Sequence, residues 1–201
     1  MSFDLPLRCR CGRVRGVARE IAPSAGFRFF CYCKDCQAFA RVLGRADVLD
    51  AAGGTDIFQM PPGRLKITDG AEALRCLRLH AGSKVLRWYA DCCNTPIANT
   101  AASGRFPVIG VIHSFMDFAA CGPRDEMLGR PLCCIYERSA TGPLPAGAPP
   151  PPSLRIFANR AAKVLGWWVG GLGRPNPFFA ASTGAPASAP RQLTPDERAA
   201  L

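Results

Sequence analysis

Apolar and polar residues alternate with a period near two over short stretches of the first two thirds of this chain. That is the pattern of half-buried strands. It predicts strands over residues 5–10 and 13–18, on either side of a Cys11-Gly12 turn, and over 27–32, an aromatic segment. Residues 56–60 and 65–68 follow as strands, separated by the turn signal Pro61-Pro62-Gly63. Residues 73–79 and 84–89 read as a hairpin across Ala81-Gly82-Ser83. Residues 106–113 carry Val108, Ile109, Val111 and Ile112 and read as a buried strand, and 132–136 as the last one. A short helix is expected over 37–43.

The pattern changes after residue 138. Residues 139–153 are a Pro-, Gly- and Ala-rich linker with no means of forming a core. Residues 154–169 then read as a basic amphipathic helix with Leu154, Ile156, Phe157, Val164, Leu165, Trp167 and Trp168, and with Arg155, Arg160 and Lys163. Such a helix can dock on the domain, pair with another chain or lie on a membrane surface as a peripheral contact. Residues 170–201 are expected to be loose, apart from a short turn near Thr194-Pro195-Asp196-Glu197-Arg198. The expected organisation is therefore a mainly β domain over 1–138, a linker over 139–153, and a helix with a loose tail over 154–201.

Composition supports one globular domain with a tail: 201 residues, 48% hydrophobic and 20% charged. The opening MSFDLPLRCRCGR lacks the apolar segment of a secretion signal, and no apolar run suits a membrane span. A cytoplasmic, reducing location is expected. There the 11 cysteines favour metal binding or catalysis over a disulfide framework. The net charge of +10 favours anionic partners, but the arginines are dispersed. Without a run of adjacent basic residues, nucleic acid is not an expected partner. The chain has no G-x-S-x-G elbow and no phosphate-binding glycine loop.

The chemistry lies in the cysteines. Cys31-Tyr-Cys33-Lys-Asp-Cys36 places three thiols within six residues. Cys9-Arg-Cys11 precedes it, and the adjacent Cys92-Cys93 follows. In a strand, residues two apart share a face, so Cys9 with Cys11, and Cys31 with Cys33, can point the same way. Cys36 can return to Cys33 through a turn. Three thiolates around zinc leave one tetrahedral position open, which marks a catalytic site; four protein ligands mark a structural one. Cys33 and Cys36 also read as a redox dithiol, or all three as buried unmetallated cysteines. Cys92 and Cys93 point to opposite faces of an extended chain and meet one ion only across a turn. Cys76, Cys121, Cys133 and Cys134 read as packing residues, and His80 and His113 as structural histidines.

Taken in order, these motifs resemble the glutathione-dependent formaldehyde-activating (GFA, or CENP-V) domain family. Cys9-Arg-Cys11-Gly12-Arg-Val14-Arg15 is similar to its opening C-x-C-G-x-V-R. Cys31 to Gln37 is similar to its C-H-C-x-x-C-R/Q segment, and Cys93-Asn94-Thr95-Pro96-Ile97 to the end of its C-x-x-C-G-T-P-L knuckle. Gly63-Arg-Leu65 also fits, and the match covers residues 5–118. The resemblance implies a β-tent (Mss4-like) fold of antiparallel sheets with zinc knuckles. It implies a structural zinc on Cys9, Cys11 and Cys93, and a catalytic zinc on Cys31, Cys33 and Cys36. It also implies a carbon-sulfur lyase acting on a glutathione or other thiol adduct of a small aldehyde. Three positions depart from the family pattern. Ala90 falls where the knuckle has its first cysteine, leaving Cys92 as the substitute ligand; Asn94 replaces its glycine; Tyr32 stands where the family often has histidine. The alternatives are a non-catalytic zinc-stabilised binding module for an anionic or protein partner, and a thiol redox or metal-sensing protein.

Overall fold

The computed structural model describes residues 2–199. It is mainly β, in two sheets. Strands β1 (Phe3–Arg8), β2 (Arg15–Ile21) and β5 (Leu65–Asp69) form a small antiparallel sheet in the order β1-β2-β5. The large sheet contains β3 (Phe27–Cys31), β4 (Thr55–Met60), β6 (Leu74–Arg78), β7 (Val85–Ala90), β8 (Thr95–Ala101) and β9 (Ile109–Ile112). Two-residue strands β10 (Cys134–Ile135) and β11 (Arg191–Gln192) close its edges. Its order is β10-β3-β4-β9-β8-β7-β6-β11. The interior pairings are antiparallel; the two edge strands pair parallel, a departure from the purely antiparallel expectation.

The main core lies between the sheets. Leu5, Leu7, Ala18 and Leu65 meet Phe58, Met60, Trp88, Ala98 and Val111 there. The outer face of the large sheet is covered by helices. In α1 (Lys34–Val42), Ala38 and Phe39 pack with Leu77, Ile112 and Leu193. From α3 (Leu154–Val169), Ile156 reaches the cluster of Phe27, Phe29 and Ile57. The remaining helices, α2 (Arg124–Leu128) and α4 (Pro195–Ala199), are short.

Helix α3 has the expected bounds because Ser153 caps it, accepting from the Ile156 N–H at 3.4 Å. Strand β8 was not expected: Thr-Pro-Ile-Ala-Asn-Thr-Ala has no clean alternation, yet it pairs β7 and β9 on both sides. The tail expected to be loose is packed. Phe178 is fully buried in the main core, its ring 4.9 Å from that of Trp88, and β11 extends the large sheet. Linker residues also dock: the Thr141 N–H donates to Ala52 O at 2.9 Å and Cys134 N–H to Pro150 O at 3.0 Å. In α4, Thr194 and Glu197 cap each other reciprocally, which explains the turn expected there. No helix among the described residues is long and apolar enough to cross a membrane.

One buried ion pair ties β3 to β4. Arg28 grips Asp56 through Nε at 3.0 Å and Nη2 at 2.8 Å, and both residues are almost fully buried. Arg28 Nη1 also donates to Asp125 in α2, and Arg124 donates to Asp56 at 2.9 Å. Burial alone would raise the Asp56 carboxyl; the hydrogen bonds and charge of Arg28 outweigh it and hold the group below the usual carboxylate value. A folded-state value below the unfolded value of about 3.9 gives stabilisation that is present above it and lost as pH falls through the lower folded value. Acid titration followed by circular dichroism should therefore show stability falling only below about pH 4. Asp56→Ala should cost about 3–5 kcal/mol in urea denaturation, because it strands a buried guanidinium.

Candidate metal centres

The seven cysteines picked out by motif gather into two groups. Cys9, Cys11, Cys92 and Cys93 have sulfurs all within 4.8 Å of one another, and so do Cys31, Cys33 and Cys36. Either group could hold a metal ion.

The four-cysteine group is made by turns. Cys9 follows β1, and the Gly12 N–H donates to Cys9 O at 2.9 Å, with Gly12 at φ +79°. This tight turn, not a shared strand face, sets Cys9 Sγ 3.6 Å from Cys11 Sγ. The Val14 N–H donates to Cys9 Sγ at 3.2 Å. From the far side comes the β7–β8 connection, where Asn94 adopts a left-handed conformation at φ +53°. Asparagine tolerates that region better than most residues, so the turn closes without a glycine there. The turn swings Cys92 Sγ to 3.3 Å from Cys11 and 3.8 Å from Cys9. Four sulfurs about 2.3 Å from one tetrahedral ion lie about 3.8 Å apart; the separations here run from 3.3 Å up to that value. Ala90 is buried in β7 and contributes no donor; the fourth sulfur of the group is that of Cys92. Burial would raise the Cys93 thiol, but a hydrogen bond to the Thr95 hydroxyl and contacts with Cys11 outweigh it and lower it to about 6.

The three-cysteine group sits where β3 hands over to α1. Cys31 is the last residue of β3, Cys33 is the N-cap of α1, and Cys36 lies in its first turn. The helix starts at Lys34, earlier than expected, because the Cys33 sulfur caps it, accepting from the Cys36 N–H at 3.3 Å. Cys31 and Cys36 are buried and Cys33 is half-buried. Hydrogen bonds from Cys31 and then Cys36 draw the Cys33 thiol far below its ordinary value, while the same contacts push Cys31 upward.

A buried cation borders this group. Arg87 of β7 is 3% exposed, and its Nη1 lies 3.5 Å from Cys36 Sγ and 3.2 Å from Asn99 Oδ1. Its guanidinium stacks over Phe39 at 5.6 Å, and Asp35 stands 3.9 Å away. Arg198 and His80 also reach Asp35. The motif reading did not point to Arg87, Asn99 or Arg198. The one signal was an arginine between the apolar Leu86 and Trp88, which marks the opposite strand face but not what covers it.

Register places Arg87, Asn99, Gly110 and Gln59 opposite one another across β7, β8, β9 and β4. A cavity of about 220 Å³ opens over this row, lined by Gln59, Lys84, Asn99, Gly110, Phe106 and Arg160. A Cβ on Gly110 would come within 2.9 Å of Ile57, so glycine keeps the floor clear. Asn99 thus lines the cavity and holds the arginine that touches Cys36.

The other residues read from sequence are structural. Cys76, Cys133 and Cys134 are buried, and Cys121 is half-buried against the core. His113 Nδ1 faces Asp56 O at 3.4 Å. Tyr32 turns away from the cysteines and donates to Asp50 at 2.9 Å.

Fold and site together define a mainly β protein of two sheets with two cysteine groups able to hold metal. The chain belongs to the family of unknown function DUF6151, which it matches over residues 1–188. No curated protein matches it. Among solved structures it is similar to a crystal structure of a Rhodobacter sphaeroides protein, at 19% identity over 60% of this chain and 94% of that one, with a TM-score of 0.39.

The turn that delivers Cys92 can be tested directly. Asn94→Gly should leave stability within a few tenths of a kcal/mol, whereas Asn94→Val should cost about 1–2 kcal/mol and loosen metal binding at this group. Thermal denaturation with and without chelator reads both.

Proposed function

We propose that both cysteine groups hold zinc, structural at Cys9, Cys11, Cys92 and Cys93 and catalytic at Cys31, Cys33 and Cys36. On this reading the protein is a carbon-sulfur lyase-like enzyme acting on a thiol adduct of a small aldehyde, on sheets of the β-tent, Mss4-like kind. The observation that carries it is the difference in donor count. The first group has four sulfurs, enough to close a tetrahedron; the second has three, with the Arg87 guanidinium against one of them. All-thiolate donor sets select zinc among the common divalent ions.

A zinc ion with an open position lowers the pKa of a thiol that joins it. Everything else falls to the chain's own residues. Three thiolates carry more negative charge than one zinc ion balances, and Arg87 offsets the surplus from a buried position. Its Nε is buried with no hydrogen-bond partner among the described residues. Lys84 and Arg160 at the cavity rim, with Asn99 at its floor, suit a thiol that carries carboxylates, glutathione among them. The addition forms one sulfur–carbon bond and moves the thiol proton to the carbonyl oxygen. Holding the two reactants together supplies most of the gain.

One observation favours a second reading. Cys31 and Cys36 are buried, as in a zinc site that only stabilises a binding module. Zinc content separates the readings from a metal-free fold. The intact protein should carry about two zincs and Cys33→Ser about one. Glutathione and labelled formaldehyde, followed by NMR, should then form the hydroxymethyl adduct faster with the intact protein than with Cys33→Ser. Arg87→Met should slow it without removing zinc. Two zincs, no acceleration and chelator resistance up to the melting point would leave the binding module.

A further inference from the structure

Helix α3 presents its apolar side to solvent. At 100° per residue, Leu154, Phe157, Ala158, Ala161, Leu165, Trp168 and Val169 fall on one stripe. All of them are exposed: Leu154 is 87% exposed, Trp168 66% and Val169 77%. The opposite side holds the helix to the protein through Ile156, Arg160, Lys163 and Trp167. Arg160 donates to Gln59 at 2.7 Å, Lys163 donates to Ser24 O, and Trp167 is buried. The helix is thus held by a mixed side, the apolar Ile156 and Trp167 beside the polar Arg160 and Lys163, while a second apolar stripe faces outward where an ordinary surface helix is polar. Beside it, Arg105, Phe106, Val164, Leu165 and Trp168 line an open groove of about 470 Å³, which continues the apolar surface onto the β8–β9 connection.

The segment of chain that carries this face has charge of one sign. Residues 138–195 contain no Asp or Glu, but they carry Arg138, Arg155, Arg160, Lys163, Arg174 and Arg191. A second copy of the chain, with net charge +10, would bring cations onto cations. An anionic lipid surface satisfies both features at once. The apolar stripe enters the boundary of headgroups and acyl chains, Trp168 takes the interface, and the exposed Arg105, Arg155 and Arg174 are available to the headgroups. We propose that the exposed face of α3, with Phe106 beside it, docks the protein onto anionic membrane surfaces. The cavity over Asn99 and Gly110, which Arg160 lines, would then open next to the bilayer.

The test uses the full chain with vesicles of phosphatidylcholine alone and of phosphatidylcholine mixed with phosphatidylglycerol. Co-sedimentation should occur with the mixed vesicles and be released by salt. Tryptophan emission should shift to shorter wavelength on binding, since Trp88 and Trp167 are already buried and Trp168 is the reporter. Arg155→Glu should weaken binding at low salt by at least about fivefold. The double variant Leu165→Glu, Trp168→Glu should abolish it while circular dichroism and melting temperature hold, because both side chains are exposed. Three results would overturn the proposal: no binding to mixed vesicles at low salt; undiminished binding by the double variant; or a dimer in sedimentation equilibrium that the double variant dissolves, which would make the face a contact between copies.

Discussion

An eight-stranded sheet exposes two broad faces, and this molecule has to cover both. The inner face is sealed by a sheet of only three strands together with Phe178. The outer face is covered by α1, by Ile156 of α3 and by Leu193 near the C-terminus. The second layer is assembled from pieces far apart in sequence, and its seams are where the chemistry sits. The three-cysteine group lies where α1 begins, and the cavity over Asn99 lies between α3 and the strands. Nearly every residue of β4, β8 and β9 is buried, as two-sided cover requires.

The two cysteine groups answer different mechanical needs. The first joins the turn after β1 to the β7–β8 turn, and so links the small sheet to the large one through side chains alone. A closed metal centre there would act as a second staple between the layers, beside the backbone bridge of Leu7 to Met116, where the Asp117 N–H donates to Pro6 O at 2.9 Å. The second group is local, spanning six residues at one strand-to-helix junction. It joins no distant elements, so its geometry serves whatever approaches it. The charge that balances it comes from elsewhere, on the middle of β7.

The cysteine motifs were legible in sequence because ligand spacing is a local property. The strand alternation around Leu5, Phe29 and Trp88 was legible for the same reason. Cys92 was ambiguous, because its direction depends on one left-handed residue, Asn94, and sequence alone does not fix φ. Strand β8 was hidden by Thr95-Pro96, which reads as a turn and here opens a strand instead. Arg87 and Asn99 needed the register of four strands to become neighbours of the cavity. The tail was misread for a compositional reason. Pro, Gly, Ala and Ser around Phe178 and Phe179 dilute the apolar signal, although two aromatic rings suffice to anchor a segment.

The placement of Phe178 bears on how the molecule comes into being. Its ring lies against Trp88, and the Gly63 N–H donates to Leu172 O at 2.8 Å, so late residues complete a core begun by early ones. A ribosome releases the strands first, and the plug follows only after the linker and all of α3 have emerged. Until then the space beside Trp88 stays open, and the nascent sheet carries an unfilled apolar hollow. A nascent chain stalled within α3 would therefore expose an apolar hollow that Phe178 later covers, the kind of surface that chaperones and proteases recognise.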